Sequence, residues 1–311
     1  MATPAMRAAP LASSSMVAPL ARSATVKPIS AREMRPWTRR PLSTTPAPTP
    51  AKVYTGALDG LRGYAAIIVV MVHARVSWMQ GGTAIISTFF PLSGFLITRN
   101  LMREIERSRT IDFSRFWWRR VRRLLPASAI GVAVATSAEI YKDLPIRAID
   151  TISSLTGWKN WQMIYSPNIA DPAMSVWWSL AIEEQYYLVY PSLLLLLVLL
   201  ARRRGATIAL WLIATSSLLY VLWGYHTRNP VTIHEVYHGT HGRLWEILAG
   251  CLLALHGKLP DRLRVNPLWA FALIVICQTS WLLRDDVWFE PPLRIFLTII
   301  GTVWLIDGVC H

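Results

Sequence analysis

Long apolar segments separated by short polar ones are the dominant pattern over residues 61–311. A helix that crosses a hydrocarbon core of about 30 Å needs about 20 mostly apolar residues. Leu180–Ala201, Ala206–Trp223, Pro267–Leu283 and Leu293–Val309 approach that length, and they lack the polar stripe of a soluble amphipathic helix. The pattern therefore predicts an all-α fold, a polytopic bundle of membrane-spanning helices.

The polar segments between these spans predict their orientation, because cytoplasmic loops are enriched in Lys and Arg. The basic cluster Arg202–Arg204 marks the cytoplasmic side, and the acidic segment 285–290 falls on the opposite side. On this basis we predict about eight spans in this chain. They are Leu61–Trp78, Ala84–Leu101, Leu124–Ile140, Trp178–Leu200, Ala206–Trp223, a sixth that opens with Arg243, Pro267–Leu283 and Leu293–Val309.

Two segments between the spans are predicted to lie at the membrane surface. Arg99–Arg123 holds nine arginines and several aromatic residues, which is typical of an interfacial amphipathic helix. Ile152–Tyr165 is short and is interrupted by Lys159 and Asn160. We predict that it is interfacial or re-entrant rather than a full span.

The first 52 residues differ from the rest of the chain. They are rich in Ala, Pro, Ser, Thr and Arg, and Glu33 is their only acid. Such a segment buries too little apolar surface to fold, and its composition resembles an organelle transit peptide. Because compositional signals of this kind are weak, a disordered cytoplasmic tail or a start codon placed too early is the favoured alternative. We predict a disordered or targeting extension over residues 1–52 and a transmembrane domain over residues 53–311.

Composition and charge agree with the membrane interpretation. Hydrophobic residues make up 53% of the chain and charged residues 16%, against about 25% charged in soluble domains. The net charge of +14 comes from clusters between spans, so we predict no nucleic-acid partner. Cys251, Cys277 and Cys310 lie in apolar spans without a CxxC pair, which predicts neither a disulfide framework nor a metal site.

Arg62 and His73 are ionisable residues within the first span, where charge is costly and often functional. They are eleven residues apart, close to three helical turns, so both project from one face with a rise of about 16 Å. A histidine can exchange a proton near neutral pH, and an arginine can bind a phosphate through two hydrogen bonds. Alternatively, Arg62 extends to the membrane surface as a topology anchor and His73 bonds a backbone carbonyl.

Further polar residues lie where the later spans begin. Glu183 and Glu184 are neighbours near the start of the fourth span, so at most one of them points into a shared site. Alternatively, the two acids have no role in a site and are stabilised only by the positive end of the helix dipole. Arg243 and Glu246 have the i, i+3 spacing of a structural ion pair. The outer loop carries four histidines but lacks a zinc-binding helical motif.

Five motifs occur in order along the chain: LDGLRG at 58–63 followed by His73, FFPLSGFLIT at 89–98, FWWRRVRRLLP at 116–126, WSLAIEEQYYL at 178–188, and 237–249 with Arg243 and Glu246. Together they resemble the signatures of the acyltransferase family 3 membrane proteins, and the O-antigen acetylase branch is the most similar.

The resemblance implies a membrane O-acyltransferase, an enzyme transferring groups other than amino-acyl groups. It would move an acyl group, most often acetyl, from cytoplasmic acyl-CoA to a hydroxyl of a sugar, glycan or related acceptor. Acyl-CoA would be a co-substrate rather than a permanently bound cofactor. The other implied partners are a carbohydrate or lipid-linked glycan and the lipid bilayer of a plasma or inner membrane. The oligomeric state is left open.

The resemblance also implies roles for individual residues. His73 would act as general base or carry the acyl group, with Arg62 as its partner in the first span. Glu183 or Glu184 would orient the base or the acceptor. The arginines of the third motif would bind coenzyme A phosphates; they are Arg119, Arg120, Arg122 and Arg123.

Three departures from the family pattern keep other functions open. Ser175–Trp177 stand where a histidine is frequent, and His241–Gly242 stand where Asp-Thr is frequent. The usual later spans do not follow before His311, which predicts a C-terminally incomplete domain. The alternatives are an inactive truncated remnant and a proton-coupled transporter or flippase using His73 and Arg62. The absence of an internal repeat disfavours transport.

Overall fold

A computed structural model describes residues 56–74, 76–79, 82–145, 147–166, 174–279 and 292–310. Within these ranges the secondary structure is helical, without a strand. The α-helices, numbered in chain order, are α1 (Gly56–His73), α2 (Ile86–Ser108), α3 (Phe113–Tyr141), α4 (Ala148–Leu155), α5 (Lys159–Tyr165), α6 (Trp178–His226), α7 (Pro230–His238), α8 (Thr240–His256), α9 (Pro267–Thr279) and α10 (Pro292–Cys310). The predicted extension over residues 1–52 and the acidic segment 285–290 lie outside the described residues.

Five helices in the described ranges are long and apolar enough to cross a membrane, which confirms the all-α membrane fold. They correspond to Gly56–His73, Thr83–Ser108, Phe113–Tyr141, Ser175–His226 and Pro292–Cys310. Helix α6 is 49 residues long and contains both the fourth and the fifth predicted spans, with a break at Arg202, where φ is 56°. Helices α8 and α9 have 17 and 13 residues, so the count of eight spans is not confirmed.

The predicted interfacial helix over Arg99–Arg123 is not a separate element. Helix α2 continues to Ser108 and is capped by Arg109 in the left-handed region. Asp112 then caps α3, since its side chain accepts a hydrogen bond from the Arg115 backbone N–H. Helix α3 runs through the arginines into the predicted third span without interruption. The arginines therefore belong to the first part of a long helix rather than to a separate interfacial helix.

Ile152–Tyr165 is confirmed as less than a full span. It forms parts of the short helices α4 and α5, joined at Gly157, whose φ of +74° turns the chain. Lys159, which interrupts the apolar pattern, is fully buried and lies 2.6 Å from the Asp150 carboxylate. The polar residues of this segment therefore face the protein interior and hold α4 and α5 together.

A buried polar network attaches α5 to α6 and α8. The Gln185 side chain donates to the Gly157 carbonyl and to Asn160 Oδ1, at 2.8 and 2.9 Å. It accepts hydrogen bonds from Trp161 Nε1 and the Thr240 hydroxyl. Because these amide groups are shielded from solvent, each bond also avoids the cost of an unpaired polar group.

Helices α2 and α8 cross at very close range. A Cβ atom placed on Gly94 would clash with the backbone carbonyl of Ile247, and one on Gly250 would clash with the carbonyl of Pro91. Small residues allow two membrane helices to pack this tightly. The crossing fixes α2 against the core that α6 and α8 form, and α2 carries one wall of the cavity described next.

The predicted i, i+3 pair at the start of α8 is confirmed. Arg243 Nη1 lies 2.5 Å from Glu246 Oε1, and both side chains are buried. Arg243 Nε also donates to the Tyr237 carbonyl at 2.7 Å. Cys251, Cys277 and Cys310, all within the described residues, form no disulfide.

Candidate active site

A cavity of about 430 Å³ lies between the C-terminal half of α1, the start of α2 and the start of α6. Most of its lining is apolar, with residues such as Val69 and Phe89. His73 and Glu183 both line it, together with Tyr237 from α7. An apolar cavity with a few convergent polar groups is the usual form of a small-molecule site.

His73 lies at the C-terminal end of α1, and one of its ring nitrogens is already engaged. Its Nδ1 is 2.7 Å from the Val69 carbonyl oxygen. A carbonyl only accepts hydrogen bonds, so this contact places the ring proton on Nδ1 and leaves the lone pair on Nε2. His73 therefore bonds a backbone carbonyl, as the alternative interpretation predicted, and it also lines the cavity.

Glu183 is held from two helices. Ser93 Oγ on α2 donates to Glu183 Oε1 at 3.2 Å, and the Tyr187 hydroxyl, one turn along α6, donates to Oε2 at 2.5 Å. The positive charges of Arg62 and Arg123 lie within electrostatic range of the carboxylate. Two donors on separate elements fix the orientation of both carboxylate oxygens.

Glu184 faces away from this carboxylate, as predicted for neighbouring helical residues. Its side chain packs against Gly157, where an added Cβ would lie 2.6 Å from Glu184 Oε2. The structure therefore separates the two acids, with Glu183 at the cavity and Glu184 at the turn between α4 and α5.

Arg62 is not part of the cavity lining. Its Nη1 lies 3.1 Å from Asp59 Oδ1, one turn earlier on α1. The structure thus places His73 with Glu183 in one cavity, while Arg62 lies towards the other end of α1.

The arginines of α3 occupy two kinds of environment. The Arg120 guanidinium lies 3.4 Å from the centre of the Phe116 ring and 5.0 Å from that of Tyr187. Arg119, Arg122 and Arg123 are exposed. Stacking with two aromatic rings ties Arg120 to the interface of α3 and α6, whereas the other three arginines are exposed.

Ser93, Tyr187 and Tyr237 are site residues that the sequence did not single out. Ser93 and Tyr187 lie within the second and fourth motifs. Tyr187 is i+4 from Glu183, so helical spacing was a usable signal for it. Ser93 is 90 residues away from its partner, and no local pattern reports such a contact.

Two of the outer-loop histidines pack against aromatic rings: His238 contacts Trp178 and Tyr237, and His241 contacts Trp161 and Tyr220. Burial lowers the pKa of His238 to about 3, and the neighbouring His234 contributes to this shift. His238 is therefore neutral near neutral pH. Among the described residues, no group of three His, Cys, Asp or Glu side chains is placed to hold a metal ion.

Comparisons with known proteins agree with the motifs. The family model described as an acyltransferase domain, of acyltransferase family 3, matches residues 55–307. O-acetyltransferase OatA of Staphylococcus aureus is 35% identical over 210 residues, covering 65% of this chain and 34% of the relative. Peptidoglycan O-acetyltransferase OatA of Listeria monocytogenes is 35% identical over 218 residues, with coverages of 66% and 34%.

A further relative covers more of the chain. YrhL, a candidate peptidoglycan O-acetyltransferase of Bacillus subtilis, is 32% identical over 286 residues, covering 83% of this chain and 44% of the relative. The chain thus spans less than half the length of the curated relatives it matches. No solved structure matches the chain significantly. Since the family model covers residues 55–307 and the motifs occur within that range in order, the chain belongs to acyltransferase family 3.

Proposed function

We propose that this chain is a membrane O-acyltransferase that moves an acyl group, in the first instance acetyl, from cytoplasmic acyl-CoA to a hydroxyl of a glycan. The observation that carries the proposal is the presence of His73 and an oriented Glu183 carboxylate in one cavity of about 430 Å³. The names of the relatives support a glycan acceptor such as peptidoglycan.

His73 is suited to the role of general base. With the proton on Nδ1 directed to Val69, Nε2 takes the proton from the acceptor hydroxyl. The hydroxyl oxygen then attacks the acyl carbonyl carbon, the C–S bond breaks, and the thiolate of coenzyme A leaves and takes up the proton. An imidazole accepts and returns a proton near neutral pH, which this cycle requires.

The surrounding residues divide the remaining tasks. Glu183, fixed by Ser93 and Tyr187, orients the acceptor or stabilises the protonated imidazole. Glu184 supports the turn at Gly157.

The arginines serve the acyl donor and the wall of the site. Exposed Arg119, Arg122 and Arg123 bind the phosphates of coenzyme A. Arg120 holds the wall of the site through its aromatic contacts, and Arg62 contributes positive charge near Glu183.

The test uses the full chain in lipid nanodiscs with acetyl-CoA labelled in the acetyl group. Wild type is compared with His73→Ala and with His226→Ala, which removes an exposed histidine from outside the cavity. We expect release or transfer of label by wild type and His226→Ala, and its loss in His73→Ala. The absence of both hydrolysis and transfer in wild type would overturn the proposal. Undiminished turnover by His73→Ala would also overturn it.

A further inference from the structure

A second cavity, of about 490 Å³, lies where α2 ends and α6 is broken. Arg202 lies in its lining and belongs to the basic cluster that predicts the cytoplasmic side. Its apolar wall is formed by Met102 and Ile105 of α2 and Val198 of α6. Its polar wall is formed by Glu106 and three arginines, which are Arg109, Arg202 and Arg203.

The three arginines are not equivalent. Arg203 is engaged, because its Nε and Nη2 donate to the Leu255 carbonyl at 2.9 and 2.7 Å. Its Nη1 also lies 3.5 Å from Glu106 Oε1. Within the part of the chain that the structure describes, no hydrogen bond or ion pair involves the guanidinium of Arg109 or Arg202. The cavity therefore presents two positive charges that its own walls do not neutralise.

The backbone conformation also distinguishes Arg109 and Arg202 from Arg203. Arg109 has a φ of 59° and Arg202 a φ of 56°, a region that favours glycine. The C-terminal end of α2 attracts a cation through the helix dipole, which accounts for Arg109 by itself. The helix dipole does not explain why α6 breaks at Arg202, because Gly205, three residues later, adopts a positive φ more easily than an arginine does. Unfavourable backbone geometry in a cavity wall is typical of a ligand site.

We propose that this cavity binds the phosphate ester group of an anionic amphiphile. Arg109 and Arg202 would form hydrogen bonds with the phosphate oxygens, and Met102, Ile105 and Val198 would contact the adjoining apolar part. Basic pockets between helices on the cytoplasmic side bind anionic lipid headgroups in this way. A phospholipid supplies both parts, whereas a soluble nucleotide has the phosphate without the adjoining apolar part. This site lies on α2 and α6 rather than on the arginine-rich start of α3, and it does not depend on the proposed acyl transfer.

The test measures binding to the full chain purified in a neutral detergent at fixed salt. The probes are dioctanoyl phosphatidylglycerol, dioctanoyl phosphatidylcholine and adenosine 3′,5′-bisphosphate, and native mass spectrometry gives the Kd of each. The pocket variant is Arg109→Gln/Arg202→Gln. The matched control, Arg107→Gln/Arg204→Gln, removes two exposed arginines from the same regions but from outside the lining. Arg109→Lys/Arg202→Lys keeps the charge, and monodisperse elution shows that each variant is folded.

We expect phosphatidylglycerol to bind about thirtyfold more weakly to the pocket variant, given the contribution of each basic side chain near anionic lipid. The control should bind like wild type, and the lysine variant should recover part of the loss. Tighter binding of the bisphosphate than of phosphatidylglycerol, with the same variant dependence, overturns the amphiphile as the occupant. Equal binding of phosphatidylcholine and phosphatidylglycerol overturns the proposal. Equal losses in the pocket variant and the control also overturn it.

Discussion

Replacing Gly250 by alanine is expected to push α2 and α8 apart. The new Cβ would lie 2.7 Å from the Pro91 carbonyl carbon and 2.8 Å from the Phe95 amide nitrogen, and closer still to the Pro91 carbonyl oxygen. Ordinary contacts begin at 3.4 Å, so relief of the carbonyl-carbon contact alone needs about 0.7 Å of separation, and the nearer carbonyl oxygen needs more. All three neighbours are backbone atoms, so no change of rotamer relieves the clash.

The cost of this separation can be estimated from similar overpacking in protein cores, which amounts to about 1–3 kcal/mol. A cost of about 2 kcal/mol lowers the midpoint of thermal unfolding by about 4–8 °C in a protein of this size class. Ser93 lies on α2 beside Gly94, so a shift of α2 also disturbs the hydrogen bond from its hydroxyl to Glu183. Acyl transfer should therefore fall together with stability.

The assay follows the fraction of protein that remains monodisperse on size exclusion after heating in detergent. The control is Gly63→Ala in α1, where an added Cβ has no atom within 4 Å. That variant should match or exceed wild type, because alanine is the better helix former. An unchanged midpoint for Gly250→Ala would refute the close crossing of α2 and α8.

Three further predictions concern the cavity, a buried ion pair and the outer loop. Tyr187→Phe removes the donor to the cavity carboxylate, a bond to a charged group worth about 1.5–3 kcal/mol, so label transfer should slow by about 10- to 100-fold. Tyr190→Phe, which loses the hydrogen bond to Thr98 outside the cavity, should keep the wild-type rate, and equal losses in both variants would contradict the role of Tyr187. Asp150→Asn leaves the Lys159 ammonium buried without its closest carboxylate and should cost about 3–5 kcal/mol, measured as a lower unfolding midpoint; an unchanged midpoint would argue against this pair. Because burial lowers the pKa of His238 to about 3, its contribution to stability is complete above about pH 6.5 and declines as the pH falls towards 3. His238→Gln should reduce this pH dependence of the midpoint, and the same slope in both proteins would show that another group titrates.

The first motif shows how far local sequence can predict a site. The spacing of Arg62 and His73 placed both on one face of one helix, and α1 is helical over that range. The same reasoning separated Glu183 from Glu184, because neighbouring helical positions point in different directions. These predictions need only the period of the α-helix, and the order of the motifs was sufficient to indicate the family.

Other features could not be predicted in this way. Lys159 and Asn160 interrupt an apolar run, a pattern that suggests exposure, yet both are fully buried. Their partners, such as Asp150 and Gln185, are supplied by neighbouring helices. The arginines before Leu124 suggested a boundary, but α3 continues through them, and through Pro126, to Tyr141.

The sequence by itself determined the apolar segments, the faces of the helices and the residue types available for chemistry, because these depend on neighbours a few positions apart. Only the tertiary structure decided which faces meet. The crossing of α2 and α8 at two glycines holds α2 in place, and the Ser93 hydroxyl on α2 reaches Glu183, 90 residues later in the chain. It placed His73 and that carboxylate in the lining of one cavity, from which Arg62 is absent. Contacts across such distances depend on how whole helices pack, and helical periodicity carries no information about them.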